Sequence, residues 1–355
     1  MNLKDLTIVV PTYERKSYLI RLIKFWQDEN VKLIIIDGSK KSLENSFLKK
    51  LSKNINYIHY HASYYKRIRK ASLLVKTKFV MFGCDDDFYV KSTLNSCITK
   101  LQERKDLISC CGLAIGYNYD NNKIKSKLLF KSLFKNQLLK KSGNERANKH
   151  LKNFVPKHFY SVSRTKIWKL IVGLVFSKEY EFLSSYELQL ELLFAFAGKT
   201  SVIPKLMFLR SFENDGIRNT DRSLNTKIVF EDWWRTENKN KKQFIYEMTN
   251  YCQDLNKLLN KKDSINIIEN LNYYYDFLKK YKKNFVYVFL LNIFQLFPNN
   301  IRFILKKILL KMEFDVNYLR DLKDILNTLS LKKIKFNTKE IEEIENIIIN
   351  FHIKK

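Results

Sequence analysis

The chain has 355 residues, enough for one large or two modest domains around a full core. Its 65 Lys and Arg against 36 Asp and Glu leave a formal charge of +29, which favours an anionic partner: a nucleotide, a phosphorylated lipid carrier, a membrane surface or nucleic acid. Five cysteines, an odd number without metal-site spacing, argue against a disulfide framework, and no charged segment followed by an apolar one opens the chain, so the expected setting is cytosolic with reduced thiols.

The first third alternates between apolar runs and amphipathic stretches. Strands are expected at Leu6–Val10, Val31–Ile36, Ile55–His59 and Phe79–Cys84, with helices at Ser17–Gln27, Ser42–Leu51 and Tyr64–Val75 between them. Strands joined by such crossovers form a mostly parallel sheet covered by helices on both faces, an α/β fold. Leu107–Ile115 adds a strand, and residues 118–153, rich in Lys, Asn and Ser, read as an insertion or mobile loop. Further on, a strand near His158–Val162, a helix over Leu183–Ala197 stopped by Gly198 and a short strand at Thr200–Ile203 are expected. Beyond Arg210 the chain reads as mainly helical. The apolar run Phe285–Phe297 lies between lysine clusters and is too short to span a bilayer, which takes about 20 residues. It suits a membrane interface or a buried helix.

The strand ends carry the chemistry. After the first comes PTYER, with Pro11, Thr12 and Glu14 at the sheet edge. The second ends in Asp37, Gly38 and Ser39, where a carboxylate beside a small residue suits a ribose hydroxyl or a base edge, or makes an ordinary turn. Tyr64–Lys70 places Arg67, Arg69 and Lys70 on a helix, as diphosphate partners or a solvated basic face. The fourth strand runs into Asp85, Asp86 and Asp87, whose mutual repulsion a divalent cation would turn into binding; an acidic turn or helix cap is the plain alternative. His59 and His61 have no metal-site spacing and read as structural. Trp233 and Trp234 suit a sugar platform or core packing.

PTYER, IIIDGS, the upstream Arg69 and VMFGCDDDF resemble the nucleotide-sugar half of family-2 glycosyltransferases of the GT-A fold, over residues 5 to 117 and more loosely 154 to 210. The resemblance implies that Pro11, Thr12, Glu14, Asp37, Ser39, Arg69, Asp85, Asp86 and Arg210 bind the nucleotide sugar, a UDP-sugar as the family's usual donor. It also implies that Asp87, with Asp85, holds Mn²⁺ or Mg²⁺. The family's catalytic base opens the helix before the short strand, which points to Glu187, with Glu191 one turn on in reserve; Tyr186 departs from the family's acidic pair. By its own residues, the polar segment from Arg210 to Arg218 with its hinge-like Gly216 reads as an ordinary surface loop or as one that closes over the donor, with Arg210 or Arg218 on the leaving diphosphate.

The expectation is therefore a metal-dependent, inverting glycosyltransferase acting on a glycan or polyprenyl-phosphate-linked acceptor in surface polysaccharide or lipopolysaccharide synthesis, cytoplasmic and peripheral on the inner membrane face. Residues 1–222 would be the catalytic domain and 223–355 a mainly helical region at the membrane surface or acceptor. The absence of Gly in Pro11–Lys16 argues against a nucleotidyltransferase or a P-loop enzyme. A basic nucleic-acid-binding protein is the non-enzymatic alternative, but it leaves the acidic triplet unexplained, and nucleic acid is not an expected partner. An inactive transferase relative is the other alternative.

Overall fold

The computed structural model describes residues 3–130, 132–180, 185–214, 229–236, 239–294 and 319–353, with backbone alone for 281–294. The apolar run 285–297 therefore lies outside the described side chains, and Asp215, Gly216, Ile217 and Arg218 lie outside the described residues altogether.

The chain begins β1 (Leu6–Thr12), α1 (Lys16–Trp26), β2 (Lys32–Asp37), α2 (Asn45–Leu48), β3 (Ile55–His59), α3 (Tyr64–Leu74), β4 (Phe79–Phe82). Parallel pairing of β1 with β2 and β4, and of β2 with β3, sets the C-terminal ends of all four strands along one edge. Consecutive side chains of a strand point to opposite faces, and here both faces are buried. Ile8, Val10, Leu33, Ile35, Phe79 and Met81 enter one core with Leu19, Leu22 and Trp26 of α1. Val9, Ile34, Ile36, Val80 and Phe82 enter a second core with Tyr64, Ile68 and Ala71 of α3. Each fully buried Leu, Ile or Phe contributes about 1.5–3 kcal/mol, so unbroken apolar strands are what a two-sided sheet requires.

β5 (Phe88–Tyr89), α4 (Lys91–Glu103) and β6 (Leu107–Asp120) follow, then β7 (Lys123–Leu129), α5 (Gly143–Lys152), β8 (Val162–Arg164), α6 (Thr165–Val175), α7 (Ser185–Ala197) and β9 (Lys199–Ser211). With the late strand β10 (Arg320–Asp321), the sheet order is β10-β7-β6-β8-β4-β1-β2-β3, with β9 between β6 and β5; it is parallel through β3, β2, β1 and β4 and along β6–β9, and antiparallel at its remaining pairings.

Several elements differ from the sequence expectation for identifiable reasons. Residues 118–153 hold the end of β6, the antiparallel β7 and helix α5, whose Arg146 donates to the carbonyls of Ala195 and Phe196 and so caps the end of α7. β9 runs far past Ile203 because the register with β6 slips between Cys111↔Val202 and Leu113↔Leu206, absorbing Pro204 in an irregularity. β8 starts at Val162 rather than His158, since the backbone N–H groups of His158 and Phe159 turn away to Glu191. Helix α7 has no continuous polar face, and all its residues but Glu187 are buried.

The C-terminal part is helical: α8 (Phe230–Arg235), α9 (Lys239–Leu259), α10 (Ile267–Phe294), α11 (Leu322–Leu331) and α12 (Thr338–Ile353). It covers both faces of the sheet. Trp233, Trp234, Phe244, Met248 and Leu271 pack into the α3 core, whereas Leu322, Ile325, Ile341, Ile344 and Ile348 pack into the α1 core. Trp233 and Trp234 are thus core residues, with the Trp234 indole N–H on Asn272 Oδ1 at 3.1 Å. Among the described residues, no helix is long and apolar enough to cross a membrane.

Candidate active site

At the strand-end edge lies a cavity of about 420 Å³ lined by Pro11, Arg15, Tyr64, Cys84, the aspartates 85–87, Tyr160, Glu187, Glu191, Arg210 and Asn214, among others. The apolar run of β4 delivers the three aspartates there because the chain leaves the sheet after Gly83, and β5 then pairs Phe88 with Leu209, bringing Asp87 beside the end of β9.

The three carboxylates have different surroundings. Asp85 Oδ2 accepts from the Thr12 hydroxyl at 2.6 Å, and its Oδ1 accepts from Arg15 Nη1 at 3.1 Å. Asp86 Oδ2 accepts from the same Arg15 nitrogen at 3.2 Å and from Asn214 Nδ2 at 3.1 Å. Asp87 Oδ1 accepts the backbone N–H of Ser211 at 2.9 Å, while its Oδ2 is buried without a hydrogen-bond partner. Burial, reinforced by the Asp86 charge, pushes Asp85 up to about 6 and Asp87 up to about 7. Cys84, Asp86 and Asp87 each bring one ligand atom within 4.8 Å of the others. Both oxygens of Asp85 are thus engaged, by Thr12 and Arg15, Asp86 Oδ2 is shared between Arg15 and Asn214, and Asp87 Oδ2 has no hydrogen-bond partner.

Across the cavity, Glu187 is half-buried in the first turn of α7, with the Tyr186 hydroxyl 3.4 Å from its Oε1. Arg210 lies between the two acidic sides: Tyr160, then Asp87, Cys84 and Glu187 hold its proton more firmly than usual despite burial. Glu191 is fully enclosed. Its Oε1 accepts from the N–H groups of His158 at 2.7 Å and Phe159 at 3.3 Å, and its Oε2 lies 2.7 Å from His150 Nε2. Burial raises it to about 8.

The remaining expected residues form the rim. Asp37 accepts from the Ser39 N–H at 2.9 Å and the Tyr57 hydroxyl at 2.6 Å, closing a local turn. Ser39 Oγ accepts the N–H of Glu14, a residue held at φ 53°, and Glu14 Oε1 accepts from Lys40 N. His59 and His61 bond the carbonyls of Ser39 and Gly38, so they brace this loop. Arg69 is exposed on α3 and does not line the cavity. Arg67 is the buried cation there: its Nη1 donates to Thr12 O at 2.7 Å, and its guanidinium packs so closely on Gly38 that a Cβ would sit 2.5 Å from Cζ. Arg15, Tyr64, Tyr160, Ser211 and Asn214 were missed by sequence reasoning. Of these, Tyr64 was legible in principle, because it shares the buried face of α3 with Arg67, Ile68 and Ala71.

Glycosyl transferase family 2 matches residues 7–171. No curated protein sequence matches the chain. Among solved structures, residues 1–349 of S. aureus TarS are 15% identical, with 80% of this chain and 92% of that one covered at a TM-score of 0.42. The same TarS fragment in complex with UDP-GlcNAc gives 16%, 80%, 92% and 0.41, and in complex with UDP 16%, 80%, 92% and 0.42. The family match covers the strand ends that build the cavity, on an α/β sheet of GT-A type, and the chain is a glycosyltransferase carrying a Glycosyl transferase family 2 domain over residues 7–171.

Proposed function

We propose that the chain moves a sugar from a nucleotide-sugar donor to a hydroxyl of a glycan or polyprenyl-phosphate-linked acceptor, inverting the anomeric centre with the help of Mn²⁺ or Mg²⁺. The observation that carries this is the convergence of the acidic triplet, Arg15, Arg210 and Glu187 on one cavity. Asp86 and Asp87 fit a divalent cation, since they are buried, repel one another, and leave Asp87 Oδ2 without a partner. When bound, such an ion supplies charge stabilisation to the departing diphosphate.

The protein's own groups do the rest. Arg210, on the cavity wall beside Asp87, offers a fixed cation to the same diphosphate. The Glu187 carboxylate takes the proton of the acceptor hydroxyl as that oxygen attacks the anomeric carbon. The anomeric carbon–oxygen bond to the diphosphate breaks, and its electron pair leaves with the nucleoside diphosphate. Thr12 and Arg15 hold Asp85, and the Asp37–Ser39 turn braced by His59 and His61 offers the rim for base and ribose.

The charge of +29 supports a polyprenyl-phosphate carrier or anionic headgroups, hence a peripheral place on the inner membrane face and a surface polysaccharide or lipopolysaccharide product. A UDP-sugar is the first donor to try. An inactive relative is the second reading, favoured by Tyr186, which is buried against Tyr64 and Phe176 where the family pairs two acids. The test is turnover of a nucleotide-sugar panel with an acceptor, in Mn²⁺ and in EDTA. The proposal requires one donor to be consumed only with metal and not by Glu187→Gln. Wild-type rates in Glu187→Gln would remove the base assignment; nucleotide binding without turnover would favour the inactive relative.

A further inference from the structure

The last helix reaches the acidic triplet through a chain of polar contacts. Glu213, just past β9, is almost fully buried, and its Oε2 lies 3.2 Å from Arg21 Nη1. Arg21 Nη2 donates to the Asp86 carbonyl at 3.0 Å, which also accepts from the Tyr117 hydroxyl at 2.9 Å. Both lone pairs of that carbonyl are thus taken, and the peptide between Asp86 and Asp87 is held in one orientation. Ser211 ties the same glutamate to the other aspartate: its hydroxyl donates to Glu213 Oε2 at 3.3 Å and its N–H to Asp87 Oδ1 at 2.9 Å.

The other oxygen of Glu213 belongs to α12, where His352 Nε2 lies 2.5 Å from Oε1. The His352 ring stacks on Tyr119 at 4.4 Å and 7°. Its neighbour Phe351 lies under the Arg21 guanidinium at 4.5 Å and against Tyr18 at 5.0 Å. Docking of α12 is already accounted for by Ile341, Ile344 and Ile348 in the core. A helix held by that apolar stripe has no need of a buried polar contact in its last turn, and a buried carboxylate with one partner removed is costly.

We propose that Phe351 and His352 are positioning residues for the Asp85–Asp87 segment, acting through Glu213 and Arg21, so that the C-terminal helix completes the catalytic unit. His352 fixes Glu213, Glu213 fixes Arg21 and Ser211, and these fix the carbonyl of Asp86 and the carboxylate of Asp87. The role rests on the reading of those two aspartates as the groups that engage cation and donor.

The test uses the full chain and two readouts. Without ligand, hydrogen exchange in peptides covering residues 83–90 and 207–214 is expected to accelerate on the order of tenfold in His352→Ala, the size of a lost hydrogen bond to a charged group, with β1–β3 unchanged. His352→Gln, which keeps a side-chain N–H for Glu213, is expected to restore protection and carries the test if the Ala variant does not fold. With ligand, the KM for the donor is expected to rise in His352→Ala and to return in His352→Gln. Unchanged exchange at 83–90 in a folded His352→Ala or His352→Leu protein overturns the proposal. Failure of the wild type to bind any nucleotide overturns the functional reading instead, and the exchange result still decides the positioning role.

Discussion

Asp87 and Glu191 invite comparison. Both are almost completely buried, both border the same cavity, and burial pushes both protons well above the usual carboxylate range, to about 7 and about 8. They differ in what their oxygens already hold. Glu191 is saturated by two backbone N–H groups and His150, and it ties the 153–160 segment to α7. Asp87 spends one oxygen on Ser211, and its Oδ2 has no partner within hydrogen-bond geometry, only the Cys84 thiol and the Arg210 charge in its surroundings. A raised pKa marks burial in both cases; unspent bonding capacity facing a cavity is what separates a site from a scaffold. The neighbours of Glu191 agree: His150 and His158 are pushed by burial toward the neutral form, and Lys157 is lowered to about 8 while its ammonium bonds Asn136 O.

The sharpest break of this comparison is Asp87→Ala, expected to abolish metal-dependent donor binding and to lower transfer on the order of a thousandfold while the fold remains intact by circular dichroism. Glu187→Gln should lower transfer by about 10²–10⁴-fold with donor affinity unchanged, read by calorimetry beside a steady-state assay. Glu191→Ala should act the other way, costing about 3 kcal/mol in denaturant unfolding because two backbone donors and His150 lose their acceptor, with nucleotide still bound below the transition. Retained stability in that variant would show that the network is not the scaffold described.

A pH series separates the two carboxylates further. The folded-state pKa of Asp87 lies above its unfolded value, so its contribution to stability is fully present below about pH 4 and is lost as pH rises through about 7. In metal-free protein, Asp87→Asn should therefore raise stability at pH 8 by up to a few kcal/mol and change little at pH 4. Equal effects at both values would contradict the burial account. The smallest expected effect is at Arg69: being exposed, its replacement by Ala should change donor affinity by less than about twofold, whereas Arg67→Ala should disturb the Gly38 turn.

The parallel half of the sheet was legible because the apolar runs of β1, β2 and β4 leave few alternatives, and the strand ends follow from them. β9 and α5 were obscured for local reasons. Pro204 reads as a strand breaker unless the register slip beside Cys111 is known, and the polar surface of α5 hides an inner face of Arg146, Ala147, His150 and Leu151. In the site, the residue types were legible but their division of labour was not. Which oxygens of the aspartates are already engaged depends on Thr12, Arg15 and Asn214, and the link from His352 to Glu213 spans 139 positions, a distance no local pattern encodes.

The central claim is that Asp87 and its neighbour hold a cation that in turn holds the donor. Titration calorimetry of nucleoside diphosphates into the full chain, in Mn²⁺ and in EDTA, tests it most directly when wild type, Asp87→Ala and Glu187→Gln are run side by side. The account predicts binding of one nucleotide that requires Mn²⁺, survives Glu187→Gln and disappears in Asp87→Ala. Binding of equal strength in EDTA, or in Asp87→Ala, would contradict it.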